Sequence, residues 1–234
     1  MSTPVYVFLA LFILSVVASF TIPEKFLPLK ILKKLLSALI FPFLYASAYF
    51  ILYDFMPYSF HIIIRAVISL IFVFAASVLT TIQSYFKKDF YNLVCILKGF
   101  SLIPFIELYR TIFYQQHISL FLIILLISIL VLMMIFMIIF MKNQSPNEYL
   151  CTLFQFISGA AFNFVAFMLL FYESGLFSAF LFAGSFIYLL KIAFKAVNRK
   201  HLNLKPAPYI ISGTYILSQV FILLGTILMI SGSH

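Results

Sequence analysis

The sequence predicts an all-α fold, a polytopic transmembrane helical bundle, and its composition carries that prediction. Of the 234 residues, 65% are hydrophobic and only 9% are charged, and the mean hydropathy is +1.18. A soluble domain carries about 25% charged residues, so this chain has too few charges for a water-exposed surface. Its apolar runs are long and continuous, whereas a transmembrane barrel shows short alternating segments, so helices are the expected spanning elements.

Eight segments are apolar over about the 20 residues that one membrane crossing requires. Prolines, charged residues and polar turns separate these segments from one another. Only Glu173, Ser174 and Gly175 separate the sixth segment from the seventh, so a merged segment with seven spans in total is the alternative prediction. The eight predicted spans cover residues 5–22, 31–53, 60–82, 90–113, 118–141, 150–172, 175–194 and 208–230.

Basic residues are concentrated in alternate loops, namely those that follow the first, third, fifth and seventh predicted spans. Cytoplasmic loops carry such an excess, so we expect eight helices with both termini on the same, outer side. The longest loop is about a dozen residues, too short to bury a core, so residues 1–234 form a single transmembrane domain. We expect a multi-pass protein of the plasma (inner) membrane. The basic residues in or beside these loops that set the orientation are Lys25, Lys30, Lys33, Lys34, Lys87, Lys88, Lys142, Lys195, Arg199, Lys200 and Lys205.

Several function classes lack their sequence signals in this chain. The net charge of +9 suits membrane orientation and anionic lipid headgroups, and no soluble basic face for nucleic acid is present. There is no G-x-S-x-G, no H-E-x-x-H and no P-loop. The histidines lie apart from one another, so the sequence predicts no metal site and no cofactor. Cys95 and Cys151 lie in apolar runs and are interpreted as small hydrophobic residues.

Ionisable residues inside spans are costly and usually face the bundle interior or water. Lys34 and Lys191 lie near the cytoplasmic ends of the second and seventh spans, where snorkelling to the interface and a role in a site are both open interpretations. Glu107 and Arg110 lie three residues apart, on one helix face, and a structural ion pair is the favoured interpretation. Snorkelling alone would account for Lys98.

Polar residues of four predicted spans fall at a similar depth. Lys34, Thr81, Lys191 and Tyr215 all lie in the cytoplasmic halves of the second, third, seventh and eighth spans, and Gln219 lies four residues beyond Tyr215 on the same face. Interhelical hydrogen bonding would account for each uncharged residue alone. Together they predict a lipid-sized, partly polar cavity between these helices. Its two lysines would bind the phosphate of a single-chain phospholipid, so a membrane lipid is the expected partner.

Two segments in the last 50 residues, GSFIYLLKIAFKAVNRK and TYILSQVFILLGTIL, resemble helices of the lysoplasmalogenase-like family of eight-span membrane proteins. The segment GSFIYLLKIAFKAVNRK is similar to the family's seventh helix, which begins with glycine and ends in a short basic turn. The segment TYILSQVFILLGTIL is similar to its last helix, with the T-Y-x-x-x-Q pattern at Thr214, Tyr215 and Gln219. The resemblance implies hydrolysis of the vinyl-ether bond of a lysophospholipid such as lysoplasmalogen, a reaction suited to paired carboxylates.

This chain departs from the family at the residues that would carry the reaction. Lys34 matches the lysine that opens the family's second helix, but Leu35 stands where the family has proline. Thr81 and Ile192 occupy the best-matching positions of the two family aspartates. Either Glu107, near the place of a family histidine, supplies the catalytic acid, or the reaction has been lost. The alternative function is a non-catalytic lipid-binding or complex-forming membrane subunit, and transport has least support because paired interrupted helices are absent.

Overall fold

Helices make up nearly all of the described chain, and no strand occurs among the described residues, which confirms the all-α prediction. In chain order the helices are α1 (Thr3–Thr21), α2 (Leu27–Tyr53), α3 (Phe60–Phe86), α4 (Tyr91–Phe100), α5 (Ile103–Phe113), α6 (Pro146–Tyr172), α7 (Leu176–Val197) and α8 (Ala207–Gly232). The computed structural model describes residues 3–23, 27–53, 60–86, 89–113, 124, 127–129, 131–132, 134–135, 138–139, 145–173, 175–198, 204 and 207–232.

Seven segments in the described part of the chain are long and apolar enough to cross a membrane, with α4 and α5 together forming one of them. These seven correspond to all of the predicted spans except the fifth, and they support an integral, multi-pass membrane protein. The predicted fifth span, 118–141, lies almost entirely outside the described residues. The orientation of the two termini stays a prediction.

The sixth and seventh predicted spans are separate helices, so the alternative of one merged span is wrong. At the C-terminal end of α6, the Glu173 N–H donates to the Leu169 carbonyl at 2.9 Å. The Ser178 hydroxyl lies 2.8 Å from both the Glu173 and the Gly175 carbonyl oxygens. One side chain from the first turn of α7 therefore satisfies the backbone of a tight hairpin that reverses the chain.

The fourth predicted span is interrupted between α4 and α5, where Pro104 lies in the first turn of α5. Proline is tolerated there because its missing N–H needs no intrahelical partner, but it cannot continue α4. The Leu102 N–H donates to the Gly99 carbonyl at 3.2 Å and no longer reaches back four residues. The carbonyl of Lys98 instead accepts from the Ser101 hydroxyl at 2.8 Å and from the Tyr188 hydroxyl of α7 at 3.0 Å.

Small and polar residues hold the helices together within the apolar core. A Cβ atom added to Gly184 of α7 would lie 3.0 Å from the Ile222 backbone nitrogen, so the backbones of α7 and α8 approach closely there. The Asn163 amide of α6 donates to the Ser185 hydroxyl of α7 at 2.8 Å. This contact is an interhelical hydrogen bond between α6 and α7.

Candidate functional site

A cavity of about 640 Å³ lies between α2, α3, α4, α7 and α8, at the end of the bundle from which the predicted cytoplasmic loops leave. Its volume falls in the range of about 300–1,000 Å³ that small-molecule sites occupy. The cavity predicted between the second, third, seventh and eighth spans is therefore present, and α4 contributes a further wall. We call it the three-lysine cavity, after Lys98, Lys191 and Lys195 in its lining.

The three lysines give the cavity a concentrated positive charge. Lys191 is only 2% exposed, and its Nζ atom has no hydrogen-bond partner among the described residues. Lys98 and Lys195 lie near enough to act on Lys191 electrostatically. No aspartate or glutamate occurs among the described lining residues. The charge of these ammonium groups is therefore not balanced by the described walls of the cavity.

Tyrosine rings support the ammonium groups. The Lys191 Nζ atom lies 4.4 Å from the centre of the Tyr188 ring and 4.3 Å from that of Tyr215. The Lys98 Nζ atom lies 4.6 Å from the centre of the same Tyr215 ring, and the Lys195 Nζ atom lies 4.2 Å from that of Tyr91. Cation–π contacts of this kind stabilise an ammonium group but leave its charge in place.

Buried hydrogen bonds fix the ring of Tyr188. The Gln155 amide of α6 donates to the Tyr188 hydroxyl at 2.9 Å. That hydroxyl donates in turn to the Lys98 carbonyl at 3.0 Å, at the interrupted end of α4. Gln155 and Tyr188 are 1% and 0% exposed. A buried polar connection between α4, α6 and α7 therefore lies next to Lys98 and Lys191 of the cavity lining.

The opposite wall carries hydroxyl groups from α2 and α3. Each donates to the carbonyl four residues earlier in its own helix, so each presents acceptor lone pairs to its surroundings and keeps its proton within the helix. Hydrogen-bond donors for an anion therefore come from other lining groups, among them the three lysines. The hydroxyl groups are those of Ser37, Ser77, Thr80 and Thr81, with donor–acceptor distances of 2.8, 2.9, 2.7 and 3.0 Å.

The structure brings three of the predicted binding residues to the cavity and leaves two outside its described lining. Thr81, Lys191 and Tyr215 line it. Lys34 lies one turn before the lining residues of α2 and is not among them. Gln219 is 1% exposed and accepts a 2.9 Å hydrogen bond from the Tyr45 hydroxyl, so it ties α8 to α2.

The predicted catalytic acid lies apart from the cavity. Glu107 belongs to α5, beyond the interruption after α4, and it is exposed and does not line the three-lysine cavity. The Arg110 side chain lies outside the described residues, so their ion pair stays a prediction. Ile192, at one family-aspartate position, is 1% exposed within the apolar core. The Glu107 carboxylate is therefore not part of the described lining.

Sequence reasoning missed Lys98 and Lys195 as cavity residues. The snorkelling interpretation of Lys98 needs correction, because its ammonium group lies on Tyr215 inside the bundle. Two signals were available: Lys195 follows Lys191 by four residues, which places both on one helix face. Lys98 lies two turns into a span that begins after a basic loop, at the depth of the other polar residues.

The described residues support a membrane-spanning helical protein with a cationic cavity. Cys95 is fully buried, which confirms its interpretation as a small core residue, and Cys151 is half-buried. No group of three or more His, Cys, Asp or Glu residues is placed to hold a metal ion in the described part of the chain.

No protein-family model, curated protein or solved structure matches this chain.

Proposed function

We propose that this protein binds a single-chain phospholipid in the three-lysine cavity, as a divergent, non-hydrolytic relative of the lysoplasmalogenase-like family. The observation that carries the proposal is the buried Lys191 ammonium group, which has no hydrogen-bond partner among the described residues. A lysine within a spanning helix is unfavourable, by about 2.5–3.5 kcal/mol at the helix centre on insertion scales and by less towards the interface, where Lys191 lies. An anionic ligand that contacts Lys191 would offset this cost.

The position and lining of the cavity favour a lipid as that ligand. The three-lysine cavity lies in the half of the bundle next to the predicted cytoplasmic loops, which under the predicted orientation is the half that faces the inner leaflet. Apolar side chains, including Phe41, Val94 and Ile211, line it beside the lysines. Such walls would contact an acyl or alkenyl chain while the ammonium groups contact the phosphate.

The same lining argues against hydrolysis of a vinyl ether. That reaction requires a proton donor at the alkenyl carbon, for which a carboxylic acid is suited. Glu107 is outside the lining, and Thr81 donates its hydroxyl proton to the Ser77 carbonyl at 3.0 Å. Asp89 precedes the lining residue Tyr91, but it is exposed, and its carboxylate accepts from the Tyr91 N–H at 2.9 Å. We therefore propose binding without cleavage.

The test uses the purified full chain in lipid nanodiscs and a panel of 1-oleoyl lysophospholipids that differ only in headgroup. We expect saturable binding of at least one member with a stoichiometry near one. Incubation with lysoplasmalogen should release no fatty aldehyde. Absence of saturable binding across the panel would overturn the proposed function, and release of aldehyde would overturn its non-hydrolytic form.

A further inference from the structure

We propose that the three-lysine cavity selects an amphiphile that ends in a phosphate monoester over a zwitterionic phospholipid. A phosphate monoester carries about −1.5 to −2 charges at neutral pH. This selectivity rests on the proposed lipid-binding function and goes beyond it, since it names the headgroup. The observations behind it are the charge of the cavity, the occupation of its aromatic rings and the arrangement of its hydroxyl wall.

The charge of the lining matches a dianion. Lys98, Lys191 and Lys195 converge from α4 and α7, and the described lining contains no acidic residue. A terminal phosphate presents three oxygens, which can accept charge-assisted hydrogen bonds from more than one ammonium group at once. A phosphodiester headgroup presents a single negative charge, and the ammonium group of a zwitterion opposes it within the same ligand. The monoester therefore balances more of the lysine charge.

The aromatic rings of the cavity are already occupied by the protein's own lysines. A choline headgroup would be recognised by an aromatic cage. Here, however, Tyr215 lies against both Lys98 and Lys191. The ring of Tyr91 lies against Lys195. A choline or ethanolamine group would therefore meet no free cage among these rings and would lie close to three like charges, which repel it.

The hydroxyl groups that α2 and α3 contribute to the cavity can bind the neutral glycerol part of the same ligand. Ser37, Ser77 and Thr80 line the cavity and donate their protons to carbonyl groups of their own helices, so their oxygens keep acceptor lone pairs. Glycerol hydroxyl groups are donors that such oxygens can accept from. A glycerol phosphate bearing one chain would therefore have its phosphate on the lysine wall and its hydroxyl on the wall of α2 and α3.

The experiment measures dissociation constants of the full chain in nanodiscs for three matched ligands: 1-oleoyl-glycerol 3-phosphate, 1-oleoyl-glycerol 3-phosphocholine and glycerol 3-phosphate. We expect the oleoyl monoester to bind about tenfold tighter than the phosphocholine or more, and glycerol 3-phosphate to bind more weakly than its oleoyl form. Equal or tighter binding of the phosphocholine overturns the selectivity and leaves lipid binding intact. Equal binding of glycerol 3-phosphate supports monoester recognition but overturns the lipid assignment, and absence of binding overturns both.

Substitutions separate a charge effect from a structural one. Lys98→Met and Lys195→Met each remove one charge, so each should narrow the ratio between the dissociation constants of the two oleoyl ligands. A merely structural role would weaken both ligands equally and leave that ratio unchanged. Lys33→Met is the matched control, because Lys33 is buried on α2 against Tyr209 and does not line the cavity. An unchanged ratio in both cavity variants overturns the assignment of the selectivity to the charges of Lys98 and Lys195. The two variants are measured independently, so that one of them still tests this assignment if the other fails to fold.

Discussion

The Tyr188 hydroxyl of α7 donates a hydrogen bond of 3.0 Å to the carbonyl of Lys98, at the point where α4 ends. In a continuous helix this carbonyl would accept from the Leu102 N–H, which instead donates to Gly99. At the interruption before Pro104 this carbonyl therefore accepts from two side chains, the Tyr188 hydroxyl and the Ser101 hydroxyl at 2.8 Å. Because the Tyr188 ring lies under Lys191, the break in one helix positions a cation on another.

Tyr188→Phe should lower the free energy of unfolding by about 1–3 kcal/mol, because it leaves the buried Gln155 amide without its acceptor. The ring that contacts Lys191 is retained, so loss of the hydroxyl is the only change. Denaturant unfolding in detergent measures the effect. Tyr6→Phe is the control, since Tyr6 is 59% exposed on α1. Equal stability of the two variants would show that the Gln155–Tyr188 hydrogen bond does not support the fold.

Gly225→Ala should destabilise the contact between α7 and α8. The added Cβ atom would lie 2.6 Å from the Leu181 Cγ atom and 2.8 Å from the Phe177 carbonyl oxygen, so backbone as well as side chain must move. Overpacking of this kind costs about 1–3 kcal/mol. Gly213→Ala on the same helix is the control, because its nearest contact would be Phe20 at 3.8 Å. Thermal unfolding that ranks the two variants equally would contradict the tight α7–α8 contact.

Lys191→Met should leave the stability of the ligand-free protein unchanged or raise it. The substitution removes a buried ammonium group without a hydrogen-bond partner among the described residues and relieves repulsion from Lys98 and Lys195. Replacing buried charges by apolar groups of similar volume is often neutral or stabilising. The melting temperature of delipidated protein measures this effect. A clear fall in that temperature would mean that Lys191 stabilises the fold rather than a ligand.

A reporter fused after His234 should report an external C-terminus. The expectation follows from eight spans with the basic loops in the cytoplasm. A paired alkaline phosphatase and green fluorescent protein fusion distinguishes the two sides, because each reporter is active on only one of them. A fluorescent, phosphatase-inactive C-terminus would contradict the orientation and would place the three-lysine cavity in the outer half of the membrane.

Hydropathy predicted the spanning helices because a helix that crosses the membrane requires a run of about 20 apolar residues, which is visible in the sequence. The depth of the cavity was predictable for the same reason, since position along a span converts to depth at a fixed rise per residue. The side of each helix that faces the cavity was harder to predict from the hydropathy pattern. Lys34 and Gln219 lie at the predicted depth, yet both are outside the described lining of the cavity.

Lys98 and Lys195, which the sequence did not predict as cavity residues, show which contacts a sequence pattern does not contain. Lys98 was separated from Lys191 by 93 positions, and nothing local indicated that both would contact Tyr215. The contact of both lysines with one ring depends on the interruption before Pro104 and on the hydrogen bond from the Tyr188 hydroxyl to the Lys98 carbonyl. Such tertiary contacts depend on packing between helices, which a single-sequence hydropathy pattern does not record.

The most direct measurement compares the binding of 1-oleoyl-glycerol 3-phosphate by Lys191→Met and Lys33→Met proteins in nanodiscs. Both variants replace a buried lysine with an apolar side chain of similar length, but only Lys191 lines the three-lysine cavity. Lys191→Met should weaken binding about tenfold or more, as expected for loss of a charged contact to phosphate, while Lys33→Met should retain wild-type affinity. Equal affinities of the two variants would contradict the proposal that this cavity binds the lipid phosphate.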